Sequence, residues 1–501
     1  MCGIVGAIAK HNVSEVLLEG LKRLEYRGYD SAGMALLDGN TIKRVRRQGK
    51  VSELQLALQQ TPLEGQIGIA HTRWATHGIP SENNAHPHVS TERIAIVHNG
   101  IIENFQTLKD QQIKHGFAFS SDTDTEVIVH QIVHYLNQQQ DLLAAVQNTL
   151  ADLVGAYALA VIDKNNPARI IAARNGSPLV LGLSDQQHFI ASDVHALLKY
   201  TQQFIYLENG DVAEISHDKI AIRDQSGQLI ERQVKQSMQS SEAAEKGNYA
   251  HFMLKEIYEQ PRAISDTLEG RVVNGRVVDE ILGPKAKSIL DAIEAVQIIA
   301  CGTSYHAGLV AKYWFEELAG IHCHVEVASE FRYRKHVVRP GTLFVTVSQS
   351  GETADSLAAL MQSKAESYVG SLVICNVSES SLVRESDLAL MTHAGPEIGV
   401  ASTKAFSTQL VALMLLVILV GRRKSLAADS ERELVAQLLN LPARINKALQ
   451  LNSKIKTLAS QYQDKQHALF LGRGSHHPIA MEGALKLKEI SYIHAEAYAA
   501  G

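Results

Sequence analysis

After about residue 285 the sequence settles into one repeated pattern: a short β-branched run, a few small polar residues, then a helix-spaced stretch. The runs lie at 296–300, 343–347, 372–375 and 468–471. Such runs, bounded by turn signals, read as strands buried on both faces, and the intervening helices are the crossovers that parallel pairing requires. The pattern predicts an α/β parallel sheet wrapped by helices. A weak internal repeat supports it: Ile298-Ile-Ala-Cys-Gly-Thr-Ser304 followed by a helix returns as Leu469-Phe-Leu-Gly-Arg-Gly-Ser475 followed by a helix. The first copy continues into the strand 343–347 and the loop 348–353, whereas the sequence stops at Gly501 before any second equivalent. Because a parallel sheet lacking its later strands would expose a wide unpaired edge, the expectation is of a truncated chain that ends inside a domain.

The first 235 residues have a different style. Strand-like runs at 31–37, 66–70, 95–97, 156–162 and 170–173 are separated by two or three helices, which predicts a layered α+β domain. Ser14 is expected to cap a helix carrying Val16, Leu17, Leu21 and Leu24, and Thr123 or Asp124 to open one carrying Val127, Ile128 and Ile132. The polar stretch 236–248 lacks apolar periodicity and reads as a linker. The expected organisation is therefore 1–235, a linker with connecting helices over 236–284, a first parallel-sheet domain over 285–425 and an incomplete second over 455–501.

Several function classes drop out. A net charge of −5 without a long single-sign run leaves no electrostatic footprint for nucleic acid. The longest apolar run, 410–420, is shorter than the roughly 18–20 residues that span a bilayer, so it reads as a buried helix and no membrane partner is expected. The first residues lack a secretory pattern, and four cysteines at 2, 301, 323 and 375 are too few for a disulfide framework; a cytoplasmic location is expected. His322-Cys323-His324 would alternate faces in a strand and has no spaced partner, so no metal is expected there. Gly472-Arg-Gly474 has His477 where a dinucleotide fingerprint needs its third glycine, and 399–404 lacks the glycine before lysine of a P-loop. No cofactor is expected.

Cys2 is the leading candidate for chemistry. Removal of Met1 would give it a free α-amine with a reference pKa of about 7.7 to 8.0, partly neutral at pH 7 and able to take the thiol proton directly or through a water. Further along stand His71-Thr-Arg-Trp-Ala-Thr-His-Gly78, His98-Asn-Gly-Ile-Ile-Glu-Asn104 and Ser121-Asp-Thr-Asp-Thr-Glu126. Together with Cys2-Gly-Ile-Val-Gly6 and Glu25-Tyr-Arg-Gly-Tyr-Asp-Ser31, these resemble the glutaminase domain of the N-terminal-nucleophile amidotransferases, which implies an αββα sandwich. By that resemblance Asn99 and the Gly100 N–H would stabilise the oxyanion, Arg73 would clamp the glutamine α-carboxylate and Asp124 its α-ammonium. Thr76, His77 and His86 would support the pocket, Trp74 would gate an ammonia tunnel, and His88 and His98 would be structural.

In the second half, Ser348-Gln-Ser-Gly-Glu-Thr353 follows a strand and precedes a helix, placing hydroxyls and backbone amides where a phosphate is favoured. Ordinary capping would use the same residue types. Ala300-Cys-Gly-Thr-Ser304, the loop 348–353, Glu397-Ile-Gly-Val-Ala-Ser402 and Glu482-Gly-Ala-Leu-Lys-Leu-Lys-Glu489 resemble the sugar isomerase (SIS) tandem of the glucosamine 6-phosphate synthase family. The resemblance implies that Ser348, Gln349, Ser350 and Thr353 hold the phosphate of D-fructose 6-phosphate while Thr303, Ser304, Val400, Ala401 and Ser402 line the sugar. Glu489 would move the proton from C1 to C2, with Lys486 one turn earlier on the same helix face. It further implies L-glutamine as amine donor and a homodimer through the SIS domains. That family carries a ring-opening histidine and a terminal Schiff-base lysine in segments beyond those matched, so little aminosugar synthesis is expected of the chain as given. The reading from another class is a non-catalytic sugar-phosphate-binding SIS regulator, against which an intact ammonia source argues.

The proposed amino terminus can be tested by intact-mass measurement. The purified protein is expected to begin at Cys2, and a form that keeps the methionine is expected to release no glutamate from glutamine. Normal hydrolysis by the methionine-retaining form would rule out the α-amine as base.

Overall fold

The computed structural model describes residues 2–25, 28, 30–75, 77–138, 141–237, 246–283 and 286–501. The chain divides into two compact units, 1–243 and 244–501. Thr76, Met1, most of the 26–29 turn and most of the 236–248 segment lie outside the described residues.

The first unit stacks an eight-stranded and a seven-stranded antiparallel sheet. Strand Gly3–Ala9 sits between Gln187–Ala191 and Ile67–Arg73 and is buried along its whole length. Its alternation shows why. Ile4 and Ile8 enter the core between the sheets, whereas Val5, Ala7 and Ala9 face Val16, Leu17, Leu21 and Leu24 of helix Ser14–Leu24. The second sheet repeats the arrangement: Ala95 and Val97 of strand Ile94–Ile102 point to the same inter-sheet core, and Ile94 and Ile96 face helices Thr125–Leu136 and Leu142–Asp152. Helices cover both outer faces, which gives the αββα sandwich.

Both expected helix caps differ in detail. Helix Ser14–Leu24 begins at Ser14 without a side-chain cap from Ser14; the Asn12 side-chain Oδ1 accepts the Ser14 N–H at 3.1 Å and the Ser14 hydroxyl turns toward Met34. Helix Thr125–Leu136 has Asp124 at its N-cap position, but the carboxylate accepts no N–H of that helix. Asp124 Oδ2 accepts the N–H of Ile102 at 2.8 Å instead, a tertiary contact that local spacing does not reveal.

The second unit holds a five-stranded parallel sheet in the order His322–Val327, Ala295–Ala300, Thr342–Ser348, Gly370–Cys375, Leu388–Met391. In the edge strand Cys323 is buried while His322 and His324 are exposed on the other face. The apolar run 410–420 lies in helix Lys404–Gly421, which is long and apolar enough to cross a bilayer but has 78% of its length buried inside the protein. Its side chains supply much of the main core of this unit. Helix Phe252–Leu268, within the expected linker region, is no spacer: Ile264 and Leu268 enter the same core. The second copy of the repeat is strand His467–Gly472, helix His476–Ser491 and strand His494–Ala499, paired in parallel.

Phe344 tests the sheet core. It is fully buried, with ring centroids 5.5 Å from Phe331 and 5.0 Å from Tyr368. Phe344→Ala is expected to destabilise the second unit by about 3–5 kcal/mol, read in urea from Trp314 fluorescence in a Trp74→Phe background.

Candidate functional sites

The sheet register places the thiol. Gly3 pairs with Thr72, so Cys2 is brought against the end of strand Ile67–Arg73, and the Trp74 N–H donates to Cys2 Sγ at 3.2 Å. Burial pushes the Cys2 thiol above its ordinary value, an effect the Trp74 bond partly offsets. Trp74 thus touches Cys2 through its backbone, and its side chain is 40% exposed.

Asn99 reaches Cys2 from the other sheet, and Gly100 follows it in the same strand. Asn99 Nδ2 donates to the Cys2 carbonyl at 2.9 Å, leaving its second N–H available. At Gly100 φ is +141°, and a Cβ would lie 1.9 Å from the Ala156 carbonyl oxygen, so only glycine fits. The amide of Asn99 is oriented by a chain of buried histidines. His71 Nε2 is 2.9 Å from Asn99 Oδ1 and 3.1 Å from the His98 carbonyl, both acceptors, so Nε2 carries the proton and Nδ1 accepts. His86 Nδ1, 3.1 Å from His71 Nδ1, is then the donor, and its Nε2 accepts from the Thr125 hydroxyl at 3.0 Å. Thr125 in turn accepts from His98 Nδ1 at 2.9 Å. The directions hold only while His71 and His86, which each accept at one nitrogen, are neutral. Burial enforces that state, pushing His71 and His88 down to about 3 and lowering His86 and His98 as well.

Arg73 and Asp124 are both buried. The Arg73 guanidinium donates to the carbonyls of His77, Gly78 at 3.1 Å and Ile79 at 3.4 Å, which uses three of its five donors on the loop that follows. The His77 ring stands edge-on to Phe105. Both ring nitrogens of His86 are hydrogen-bonded within the relay, so the ring supports Asn99 through His71. Thr76 lies outside the described residues.

In the second unit, the sheet order puts Ala295–Ala300 and Thr342–Ser348 side by side with their crossovers departing in opposite directions. Ligands of open α/β sheets bind at the carboxyl ends of strands at such a switch point. Thr303 and Ser304 lie in the first turn of helix Gly302–Trp314, which follows the first of these strands, and residues 348–353 leave the end of the second. Ser348 Oγ accepts the Gly351 N–H at 3.0 Å and lies 3.1 Å from Thr353 Oγ1, Ser350 Oγ accepts the Glu352 N–H at 3.2 Å, and the Gln349 carbonyl accepts the Asn376 N–H at 3.3 Å. Thr353 occupies the N-cap position of helix Ala354–Ser363 without a side-chain cap bond. Ser304 Oγ accepts from Gln409 Nε2 at 3.0 Å, and Ser402 Oγ donates to Glu397 at 2.7 Å beside half-exposed Val400 and buried Ala401.

Helix His476–Ser491 brings Lys486 to this cluster. Its ammonium donates to Thr303 Oγ1 at 2.9 Å and pairs with Glu489 at 2.6 Å, so the pair is part of a network and not a solvated surface pair. The sequence reading gave no role to Glu482, which accepts from Thr303 Oγ1 at 2.9 Å and lies 2.8 Å from His306 Nδ1. Its spacing four residues before Lys486 was the available signal. Among the described residues no group of histidine, cysteine, aspartate and glutamate side chains could hold a metal.

Comparison with known proteins matches the chain to two family models: a glutamine amidotransferase domain over 71–199 and a SIS domain over 289–419 and 461–501. It is 58% identical to the isomerizing glutamine–fructose-6-phosphate aminotransferase of Pseudomonas putida, covering 100% of this chain and 82% of that protein. The enzyme of that name from Shewanella oneidensis is 56% identical with the same coverage. Among solved structures, the C-terminal domain of glucosamine-fructose-6-phosphate aminotransferase from Francisella tularensis matches with a TM-score of 0.50 and 53% identity, over 51% of this chain and 72% of that one.

The neutral relay predicts a pH dependence. The four histidines titrate below their unfolded value of about 6.5, so on acidification the unfolded chain takes up protons first. Stability present at neutral pH is therefore lost as pH falls from about 6.5 toward the folded values, by up to about 1.4 kcal/mol per pH unit for each ring. For Glu126, burial works upward, but donors from His130, Ser121 and Ser120 hold its carboxyl well below the usual range, which adds a loss below about pH 4.3. The melting temperature of the first unit is expected to fall steeply between pH 6.5 and 4.5, and His88→Gln to make that slope shallower by about one proton. An unchanged slope in the variant would contradict the neutral assignment of His88.

Proposed function

The chain belongs to the family of isomerizing glutamine–fructose-6-phosphate aminotransferases, and from that premise we propose how its residues divide the work. The reaction takes L-glutamine and D-fructose 6-phosphate to D-glucosamine 6-phosphate and L-glutamate, supplying aminosugar synthesis. The observation that carries the residue assignment is that the Trp74 N–H meets Cys2 Sγ while Asn99 Nδ2 meets the carbonyl of the same residue.

In the glutaminase unit, Cys2 Sγ attacks the side-chain carbonyl carbon of glutamine while the α-amine freed by loss of Met1 takes the thiol proton. Asn99 and the Gly100 N–H receive the oxyanion; collapse expels ammonia, with the proton returned from the amine, and leaves a thioester. Water then cleaves the thioester to glutamate. Arg73 holds the α-carboxylate with the donors its loop contacts leave over, Asp124 takes the α-ammonium, and Thr76, His77 and His86 support the pocket, His86 from behind. Trp74 gates the ammonia path.

In the second unit, Ser348, Gln349, Ser350 and Thr353 hold the phosphate at the N-terminus of helix Ala354–Ser363, and Thr303, Ser304, Val400, Ala401 and Ser402 line the sugar. Ammonia adds to C2 of the open-chain sugar and water leaves; Glu489 then removes a proton from C1 and returns it to C2, with Lys486 balancing its charge. The domains follow the boundaries 1–235, 236–284, 285–425 and 455–501. The four free cysteines suit a reducing cytoplasm, and the SIS likeness favours a homodimer.

Glutamate release with and without fructose 6-phosphate tests the assignment. Cys2→Ala is expected to abolish release, and Arg73→Lys and Asp124→Asn to raise KM for glutamine about tenfold or more, since each loses a paired charge contact. Release indifferent to the sugar would weaken the coupling of the two units. No release at all by the unaltered protein would favour a sugar-phosphate-binding regulator.

A further inference from the structure

We propose that Glu256 is a positioning residue that sets the shape of the sugar-facing loop 397–402, an inference that rests on the assignment of Val400, Ala401 and Ser402 to the sugar. Glu256 lies on helix Phe252–Leu268, more than a hundred residues upstream of that loop. Its side chain is almost fully buried, and Oε1 accepts the N–H of Ile398 at 2.5 Å and of Gly399 at 2.9 Å. The fit is close: a Cβ on Gly399 would lie 2.5 Å from Glu256 Oε2, so a larger residue there would push that carboxylate aside.

The same helix face holds the far end of the loop. Glu259 pairs with buried Lys404 at 2.8 Å and Gln260 accepts from the Ser407 hydroxyl at 2.5 Å, so positions i, i+3 and i+4 grip both sides of the turn. From within, Glu397 accepts the N–H groups of Thr403 at 2.8 Å and Ala405 at 3.1 Å. Two carboxylates thus consume the donors that flank the crest, and the crest itself, Val400 and Ala401, is held outside either grip. Stability alone does not explain the arrangement. A buried carboxylate is expensive, and Glu256 Oε2 has no hydrogen-bond partner among the described residues, whereas an apolar residue could pack the helix against the loop without that cost. What an apolar residue could not supply is an acceptor for two adjacent backbone N–H groups, and that defines the loop conformation.

The test is titration of the full chain with fructose 6-phosphate by calorimetry, with glutamine hydrolysis as a second readout. Glu256→Ala is expected to raise Kd about tenfold or more with unchanged stoichiometry and an unchanged hydrolysis rate. Glu256→Gln, whose amide oxygen still accepts both N–H groups, is expected to stay within about threefold of the unaltered protein, and Gly399→Ala to weaken binding in the same direction as Glu256→Ala. A purely structural role would lower stoichiometry and melting temperature at constant Kd, and that result overturns the inference, as does equal loss in Glu256→Gln and Glu256→Ala. Ser402→Ala separates the two levels. If it weakens binding while Glu256→Ala does not, the positioning role fails alone; if both bind normally, or if the unaltered chain does not bind, the sugar assignment of the loop fails with it.

Discussion

The antiparallel pairing of the fully buried strand Gly3–Ala9 between Gln187–Ala191 and Ile67–Arg73 is the constraint on which the glutaminase half depends. It takes the start of the chain, ordinarily the part most free to fray, and fixes it in the middle of an eight-stranded sheet. Cys2 follows from that pairing, because one residue before Gly3 the register runs out against Trp74 and the opposite sheet presents Asn99. A nucleophile on a loop would have to be held by side chains; this one is held by a ladder of backbone bonds. The cost is steric, since Gly3 is already so close to Thr72 and Leu24 that a Cβ would meet them at 2.7 and 2.8 Å.

Much of this was legible in the sequence wherever local pattern and spacing decide. The strand runs that end in small polar residues become the parallel sheet, and their polar ends become the loops at its switch point. The apolar stretch 410–420 is a buried helix. Contacts between distant segments were not legible. Asp124 sits at a helix start, and its carboxylate leaves that helix for Ile102; Asn12 does the work that spacing gave to Ser14. The hydrogen bonds that tie His86 to His71 and Thr125 join segments that no local pattern connects. Glu256 and Glu482 act across more than a hundred residues, where no periodicity connects the partners.

The two units solve a common problem in opposite ways. Each must present polar groups to a substrate while keeping its own buried polar atoms paired. The first unit does so with neutral rings, whose tautomers pass hydrogen bonds in one direction and end on Asn99. The second does so with charge: Glu482 and Lys486 share Thr303, Lys486 pairs with Glu482 and Glu489, and Glu256 and Glu397 grip the loop 397–405. Fixed carboxylates suit a site that receives a phosphate dianion only if they face away from it, and the observed partners of Glu256 and Glu397 are loop backbone and hydroxyl groups.

The state of the thiol makes the choice of base consequential. Burial raises the Cys2 thiol, so in the resting protein it is protonated and must lose its proton as it attacks. The histidines nearest Asn99 are poor acceptors of that proton. Burial has already pushed them far below neutrality, and protonating His71 at Nδ1 would reverse the link to His86 and break the relay that orients Asn99. A base that disturbs nothing has to come from outside this network. Under the proposed mechanism the α-amine of Cys2 meets that requirement: it belongs to the nucleophile itself, and its reference value of about 7.7 to 8.0 lies near the working pH. The amidotransferase half then separates two tasks that a cysteine–histidine pair would combine, with proton transfer kept on residue 2 and oxyanion geometry kept by the buried rings.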